Sequence, residues 1–179
     1  FKKIPKKLKL INCVGGGSSA YGFWSEFIDY DKKQIELIGV EAGGPKNSKL
    51  HAAPLSRGAK LGILHGAAAY CCQDTEGQIK ETESISAGLD YPSVSPIHCF
   101  LKDEKRARYT YATDDDALNA YKLVTKYEKL NPSLEPCHAF AEAIKIAPNL
   151  NKETIIIVNS CGDAKKDKDI LIKKLGKYR

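Results

Sequence analysis

Residues 10–20 read LINCVGGGSSA, and this stretch decides how the rest of the chain is interpreted. It begins with four apolar residues, Leu10, Ile11, Cys13 and Val14. Three glycines, two serines and a helix-like segment follow, which predicts a strand, a tight turn and a helix. Because glycine has no Cβ, such a turn can gather its N–H groups around one anion, and the start of the helix adds unpaired N–H groups. Taken alone, the stretch fits a phosphate site and an unliganded turn equally well.

The glycine turn differs from the common nucleotide-binding loops. No Lys-Ser/Thr pair follows the glycines, as a Walker loop requires, and GGGSSA lacks the spacing of the dinucleotide motif. A small phosphorylated cofactor therefore suits the turn better than a nucleoside triphosphate.

Length and charge restrict the class of protein. A chain of 179 residues that is 42% apolar is large enough for one globular domain with a core. The net charge of +6 comes from the two ends, residues 1–10 and 165–179, which are both rich in lysine. Charged ends are typical of solvated termini, and no apolar run reaches about 18 residues, so we predict neither a nucleic-acid partner nor a membrane span.

The six cysteines predict reduced thiols. They are Cys13, Cys71, Cys72, Cys99, Cys137 and Cys161. There is no CxxC motif, and His98-Cys99 and Cys137-His138 do not have zinc-ligand spacing. We expect Cys13, Cys71, Cys99 and Cys161 in apolar or small-residue surroundings, in a cytoplasmic protein.

The hydrophobic periodicity predicts an α/β fold. Strands are expected at 10–14, 34–41, 108–112 and 153–160, the last of the fully buried type, and helices at 20–30, after 96, after Thr113, at 136–147 and at 168–175. Segment 45–78 has no clear period, and GILHGAAAYC within it fits a short strand or helix. We therefore expect a parallel sheet of about four strands flanked by helices, with GGGSS, VEAGG, YAT and NSCGD at the carboxyl ends of the strands, where ligands collect.

The helix after Thr113 starts with Asp114, Asp115 and Asp116. Acidic first turns complement the helix dipole, so we interpret the three aspartates as part of the helix start and not as metal ligands. The inward faces are expected to be Leu118, Tyr121, Val124 and Tyr127 on this helix, and Phe140, Ala143, Ile144 and Ala147 on helix 136–147.

CVGGGSSA resembles the cofactor-phosphate loop of the tryptophan synthase beta chain, a fold-type II pyridoxal phosphate (PLP) enzyme, which typically reads CVGGGSNA. GVEAGG, HAAPL and TDDDAL resemble the family's GVEPGG, HGAPL and TDDEAL. EGQIKETESISAGLDYPSVSP, PSLEPCHAFAEA and VNSCGDAKKDKD also have counterparts at the right distances, the last with two extra residues. The resemblance covers nearly the whole chain, and SISAGLDYPSV together with LExxHA is highly specific.

The resemblance implies the cofactor contacts. Gly15, Gly16, Gly17, Ser18 and Ser19 would hold the cofactor phosphate, although the family has Asn in place of Ser19. Cys161 falls where the family has a Ser beside the pyridine nitrogen. A neutral group there leaves that nitrogen unprotonated and favours β-elimination and replacement, and Cys161 also fits the role of a small buried residue at a strand end. Glu135 corresponds to the glutamate beneath the cofactor ring.

The resemblance also implies substrate and cation contacts. Asp90 corresponds to the aspartate that meets the hydroxyl of the substrate serine. The backbone carbonyls of the family's monovalent-cation site (Na⁺ or K⁺) correspond to those of Gly15, Ala52, Leu89, Tyr91 and Ser93. Leu64 and His65 replace an aromatic pair that gates the family's indole tunnel.

The family's Schiff-base lysine lies in its N-terminal half and has no counterpart in these residues. We therefore expect residues 1–10 to be a basic leading segment at a cut end, and residues 11–179 to be the C-terminal cofactor-binding half, inactive by itself. The resemblance implies a parent lyase that condenses L-serine with indole to L-tryptophan by PLP-dependent β-replacement, as a homodimer with an alpha-chain partner. Two alternatives remain open: another fold-type II enzyme of the cysteine or threonine synthase type, and a non-catalytic phosphate-binding or chain-assembly module.

Overall fold

The computed structural model describes residues 5–176 and 178, so residues 1–4 of the predicted leading segment lie outside the described residues. The strands are β1 (Lys7–Cys13), β2 (Ile35–Ala42), β3 (Lys60–Leu64), β4 (Ala67–Cys71), β5 (Ala107–Ala112) and β6 (Thr154–Val158). The helices are α1 (Ser18–Trp24), α2 (Pro96–Asp103), α3 (Asp114–Tyr127), α4 (Leu134–Ile146) and α5 (Lys168–Leu175). Short 3₁₀ turns follow at Ser25–Phe27, Ala87–Leu89, Ala147–Asn149 and Ala164–Asp167.

Four strands form one parallel sheet in the order β5-β2-β1-β6, which confirms the predicted α/β class. Leu10 of β1 is in register with Leu37 of β2 and with Ile157 of β6. β1 and β2 are central and almost completely buried, because helices cover both faces of the sheet. All four strands run the same way, so the segments that follow them meet at one edge.

Strand β6 is less buried than its apolar sequence predicts. All five of its residues are only partly buried, because β6 lies at the edge of the sheet and has β1 as its neighbour on one side.

Segment 45–78 contains a β-hairpin where we expected a single short element. β3 and β4 pair antiparallel, and the chain reverses at His65 and Gly66, both with positive φ (51° and 77°). Two-residue turns of this handedness match the twist of a hairpin, so the turn interrupts the apolar run GILHGAAAYC.

Three helices differ in detail from the prediction. α1 ends at Trp24 because the Ser25 hydroxyl donates to the Gly22 carbonyl at 3.3 Å, and the chain continues as a 3₁₀ turn. α3 has the expected start, with a capping box between Thr113 and Asp116, but Tyr127 in its last turn is 64% exposed. The predicted inward position of Tyr127 was therefore wrong.

The inward face of α4 was predicted correctly only in part, because Phe140 and Ala143 pack against buried clusters but Ile144 and Ala147 are exposed. The helix begins at Leu134, and Cys137, His138 and Ala139 are buried, whereas Ile144 is exposed and Ala147 lies beyond the helix. Glu142 is buried on this face because Arg108 pairs with its carboxylate at 3.0 Å. The prediction counted only apolar residues as inward, so it did not include the charged Glu142.

All six cysteines are free thiols, and Cys161 is exposed while the other five are buried. The reading of Cys161 as a small buried residue at a strand end was wrong, because Cys161 lies exposed in the open loop after β6. Across residues 5–176 and 178, none of the helices combines the length and apolar character that crossing a membrane demands.

Candidate functional site

The glycine turn places a row of backbone donors ahead of the first helical hydrogen bond of α1. Gly17 precedes α1 with φ of 99°, and none of the described side chains caps the helix start. The first helical bond runs from the Tyr21 N–H to the Gly17 carbonyl at 3.0 Å, so the N–H groups before Tyr21 lie ahead of the helical bonding pattern. Gly16, Ser18 and Ser19 are exposed, and an anion therefore has access to these donors.

His98 of α2 fixes the other side of the turn. Its Nε2 lies 2.7 Å from the Gly17 carbonyl, and its Nδ1 lies 2.7 Å from the Tyr109 hydroxyl. A carbonyl only accepts, so Nε2 carries the proton, and the Tyr109 hydroxyl donates to Nδ1. Burial lowers the pKa of His98, although the Gly17 bond acts against this, and the ring is neutral at neutral pH. A Cβ on Gly17 would overlap this ring, which explains the glycine.

Three further segments pack one against the next beside the turn. A Cβ on Gly15 would lie 2.5 Å from the Gly88 carbonyl oxygen, and one on Gly88 would lie 2.6 Å from Glu135 Oε1. Gly162, after β6, packs against Ser133 in the same way, and the Ser133 N–H donates to the Gly162 carbonyl at 2.9 Å. The glycines thus allow segments 15–19, 86–90, 133–135 and 160–162 to form one site at the carboxyl edge of the sheet.

Glu135 is an ionised carboxylate at the centre of this site. Its Oε1 accepts from the Gly88 N–H at 3.0 Å and from the Lys166 ammonium. Burial disfavours its charge, but the hydrogen bond from Lys166, together with the polar Ser133 and Ser86 side chains nearby, outweighs this and lowers its pKa to about 2. Lys166 has a raised pKa, because its pairing with Glu135 outweighs its own partial burial. Both groups are therefore charged at neutral pH.

Cys161 lies beside Cys13, with 3.6 Å between the two sulfur atoms. The hydrogen bond from Cys13 and one from Ser19 lower the pKa of the Cys161 thiol to about 6, although burial opposes this shift. The bond to Cys161 and burial raise the pKa of Cys13. The Ser19 hydroxyl also accepts from Asn12 and Asn159, at 3.2 and 3.3 Å. Ser19 therefore belongs to a polar network that reaches Cys161.

Asp90 lies in an open cleft of about 610 Å³ next to the glycine turn. The cleft is also lined by Gly16, Gly88, His65 and Tyr91. The His65 Nδ1 is 3.0 Å from the Tyr91 hydroxyl, and the two rings stack at 5.7 Å. The Asp90 side chain is exposed, so it is free to meet a ligand that enters the cleft.

The contacts in the structure locate only some of the five backbone carbonyls that are expected to hold a monovalent cation. Gly15 approaches Leu89, and Leu89 and Ala52 share one buried cluster. The Leu89 carbonyl accepts from the Tyr91 N–H at 2.9 Å, and Ser93 forms a bridge with Cys71. Convergence of the carbonyls on one ion remains a prediction.

Sequence reasoning missed His98, Tyr109 and Lys166. His98 and Tyr109 lie far from the glycine turn in sequence and carry no motif, so no sequence signal links them to it. Lys166 lies within a run of charged residues typical of a solvated end, and its contact with Glu135 depends on the chain path after β6. In the described part of the chain, no group of three or more His, Cys, Asp or Glu side chains is arranged to hold a metal ion.

Comparison with known proteins identifies the family. No protein-family model matches the chain. It is 52% identical to tryptophan synthase beta chain 1 of Chlamydia caviae over 159 residues. This matched stretch covers 88% of this chain and 38% of that protein. The chain belongs to the tryptophan synthase beta-chain family. The beta chains of Chromobacterium violaceum and Bradyrhizobium sp. are 48% and 46% identical, again over 88% of this chain and over 39% and 38% of their own lengths.

The chain thus spans about two fifths of the length of the curated relatives that it matches. The resemblance inferred from CVGGGSSA and SISAGLDYPSV is confirmed, and the match is to the C-terminal part of a tryptophan synthase beta chain.

Proposed function

We propose that this chain supplies the phosphate-binding and ring-facing part of a PLP site in a tryptophan synthase beta chain that converts L-serine and indole to L-tryptophan. The observation that carries the proposal is the open row of N–H groups at residues 16–19, placed within one site beside the ionised Glu135. Bound PLP would supply an electron-accepting ring that makes β-replacement at serine feasible.

The residues present fit a phosphate group at the glycine turn. A Cβ built on Gly16 meets no atom within 4 Å, so there is open space on the exposed side of the turn. The turn and the helix start provide N–H donors and a positive dipole end for a dianion, while His98 holds the Gly17 carbonyl on the opposite side. Gly15 to Ser19 would therefore bind and orient the cofactor through its phosphate.

Three side chains would contact the cofactor ring, its nitrogen and the substrate serine, namely Glu135, Cys161 and Asp90. Glu135 keeps its charge through Lys166 and would lie beneath the cofactor ring, as in the family. Cys161 would face the ring nitrogen, where its partly ionised thiol differs from the neutral serine of the family. Asp90 would receive the serine hydroxyl in the cleft. The carbonyls of Gly15, Ala52, Leu89, Tyr91 and Ser93 would hold Na⁺ or K⁺.

The amine that binds the PLP aldehyde would come from the N-terminal half of the beta chain. Lys166 contacts the site, but its pairing with Glu135 raises its pKa and keeps it protonated, and a protonated amine is not a nucleophile. We therefore expect the 179-residue chain to be inactive alone. The active form we propose is a cytoplasmic homodimer of complete beta chains with an alpha-chain partner.

Two measurements test the proposal. A beta chain of the relatives' length that carries these residues should form tryptophan from L-serine and indole, and Asp90→Asn should reduce turnover at least tenfold. Asp115→Asn is the matched control, because Asp115 is an exposed aspartate outside the site. Preference for O-acetylserine and sulfide over serine and indole would contradict the proposed substrates.

The 179-residue chain itself should bind PLP without a covalent bond. After mixing with PLP and borohydride reduction, we expect no single lysine to be modified in stoichiometric yield. A stoichiometric adduct on Lys166 would show that this chain supplies its own amine and would overturn the division of roles.

A further inference from the structure

Two thiols meet at the point where β1 and β6 end. The Cys13 and Cys161 sulfur atoms are 3.6 Å apart, although the residues are 148 positions apart in sequence. Cys13 is the last residue of β1 and only 4% exposed, whereas Cys161 lies in the loop after β6 and is exposed. The pair thus combines one accessible and one protected thiol, as redox-active cysteine pairs do.

We propose that Cys13 and Cys161 form a reversible disulfide, so that the chain carries an oxidation site at the edge of its candidate cofactor site.

The backbone is arranged for such a bond. β1 and β6 are adjacent parallel strands with Ile11 opposite Val158, and the Asn159 N–H continues the pairing by donating to the Ile11 carbonyl at 3.1 Å. Carried on by two residues, this register places Ser160 opposite Cys13, so Cys161 follows directly in the chain. The sulfur atoms must approach by about 1.5 Å to reach bonding distance. Cys161 lies between the anchored residues Asn159 and Gly162, and this short loop can supply that movement.

The reaction requires a two-electron oxidant, and hydrogen peroxide is the one we propose. The Cys161 thiolate attacks one peroxide oxygen, the O–O bond breaks, and hydroxide leaves, so that Cys161 becomes a sulfenic acid. The Cys13 sulfur then attacks the Cys161 sulfur, and its proton joins the departing hydroxide to form water. Overall, two thiols and one peroxide give one disulfide and two waters. The lowered pKa of Cys161 supports its role as the first thiol to react.

The disulfide would remove the Cys161 thiol from the candidate cofactor site. This consequence rests on the proposed function, because only there does Cys161 face the ring of PLP. Formation of the bond does not depend on it, so the two ideas can fail separately.

The test is oxidation of the 179-residue chain with equimolar hydrogen peroxide, followed by denaturation, alkylation and peptide mass mapping. We expect two fewer alkylated thiols than in the reduced chain, a peptide that links Cys13 to Cys161, and full reversal by dithiothreitol. Cys72→Ser is the matched control and should form the same linked peptide, because Cys72 is a buried thiol outside the pair. Cys161→Ser should retain the circular dichroism spectrum of the parent and form no linked peptide.

Three outcomes would overturn the proposal: sulfinic or sulfonic acid at Cys161 without a link to Cys13, a dimer linked through Cys161, or no oxidation of Cys161. If the link forms and PLP binding is the same before and after oxidation, the disulfide stands and the proposed position of Cys161 against the cofactor is wrong.

Discussion

Replacing Gly17 by alanine separates the two properties of the glycine turn, its backbone shape and its open face. Gly17 has φ of 99°, and a methyl group there would overlap the His98 ring. The left-handed conformation costs a non-glycine residue about 1–2 kcal/mol. If His98 moves away, its bonds to Gly17 and Tyr109 are lost, at about 1 kcal/mol each. We therefore expect Gly17→Ala to lower the free energy of unfolding by about 3–4 kcal/mol.

Gly16→Ala is the matched control. A Cβ on Gly16 meets no atom within 4 Å, so the free energy of unfolding should change by less than about 0.5 kcal/mol. The new methyl group would instead project into the open space where we propose that phosphate binds, so Gly16→Ala should weaken PLP binding in a stable chain.

Guanidinium unfolding followed by the fluorescence of Trp24 measures this difference. Trp24 is the single tryptophan, it is buried, and its ring lies 5.7 Å from His98 and 6.4 Å from Tyr109. Gly17→Ala should lower the midpoint by about 1 M, while Gly16→Ala should leave it unchanged. Equal midpoints for the two variants would refute the assigned role of His98.

Two further predictions concern the dependence of stability on pH. The pKa of Glu135 is lowered to about 2 from its ordinary 4.5, so its contribution is complete above pH 4.5 and is lost as the pH falls towards 2. In Glu135→Gln, the free energy of unfolding should therefore fall by about 1 kcal/mol less than in the parent as the pH is lowered towards 2. This figure allows for solvent screening at the half-exposed Lys166. An equal fall in both chains would contradict the assignment. Burial raises the pKa of Glu41 to about 7, against hydrogen bonds from Ser56 and Leu55, so its charging should lower stability as the pH rises from 4.5 to 7. Between pH 5 and pH 8, the free energy of unfolding should change by on the order of 3 kcal/mol less in Glu41→Gln than in the parent. An equal change in both chains would count against the assignment.

The sheet was predictable because its signal is local. β1 (KLKLINC) and β2 (IELIGVEA) are mostly apolar, each has a glycine within two residues of its end, and the structure confirms them within a few residues at each end. The capping box of α3 is equally local, since Thr113 and Asp116 are three residues apart. The hairpin was not predictable from periodicity, because its turn places His65, a non-glycine residue, at positive φ. Nothing in the apolar pattern of GILHGAAAYC indicates that reversal.

The candidate site also has one part that was predictable from the sequence and one part that was not. The glycines, Glu135 and Asp90 were named through motifs of the family, and composition alone would have left Glu135 as an exposed turn residue. The electrostatics could not be predicted, because they depend on Lys166, which reaches Glu135 from the segment after β6. The charge of Glu135 and the protonation of Lys166 are consequences of one contact, and neither has a signal in its own stretch of sequence.

The chemistry that we propose for Cys161 depends on the residue that lies next to it in space. If Cys161 replaces the family's serine, as we propose, it is a small residue with a weaker hydrogen-bonding group. Next to Cys13, which the family loop CVGGGSNA also contains, it becomes one half of a thiol pair with the sulfur atoms 3.6 Å apart. A family member with serine at this position has no second sulfur there, so Cys13 would have no partner in that place. The oxidation chemistry we propose therefore depends on the substitution in this chain, and Cys161→Ser should abolish it without disturbing the sheet.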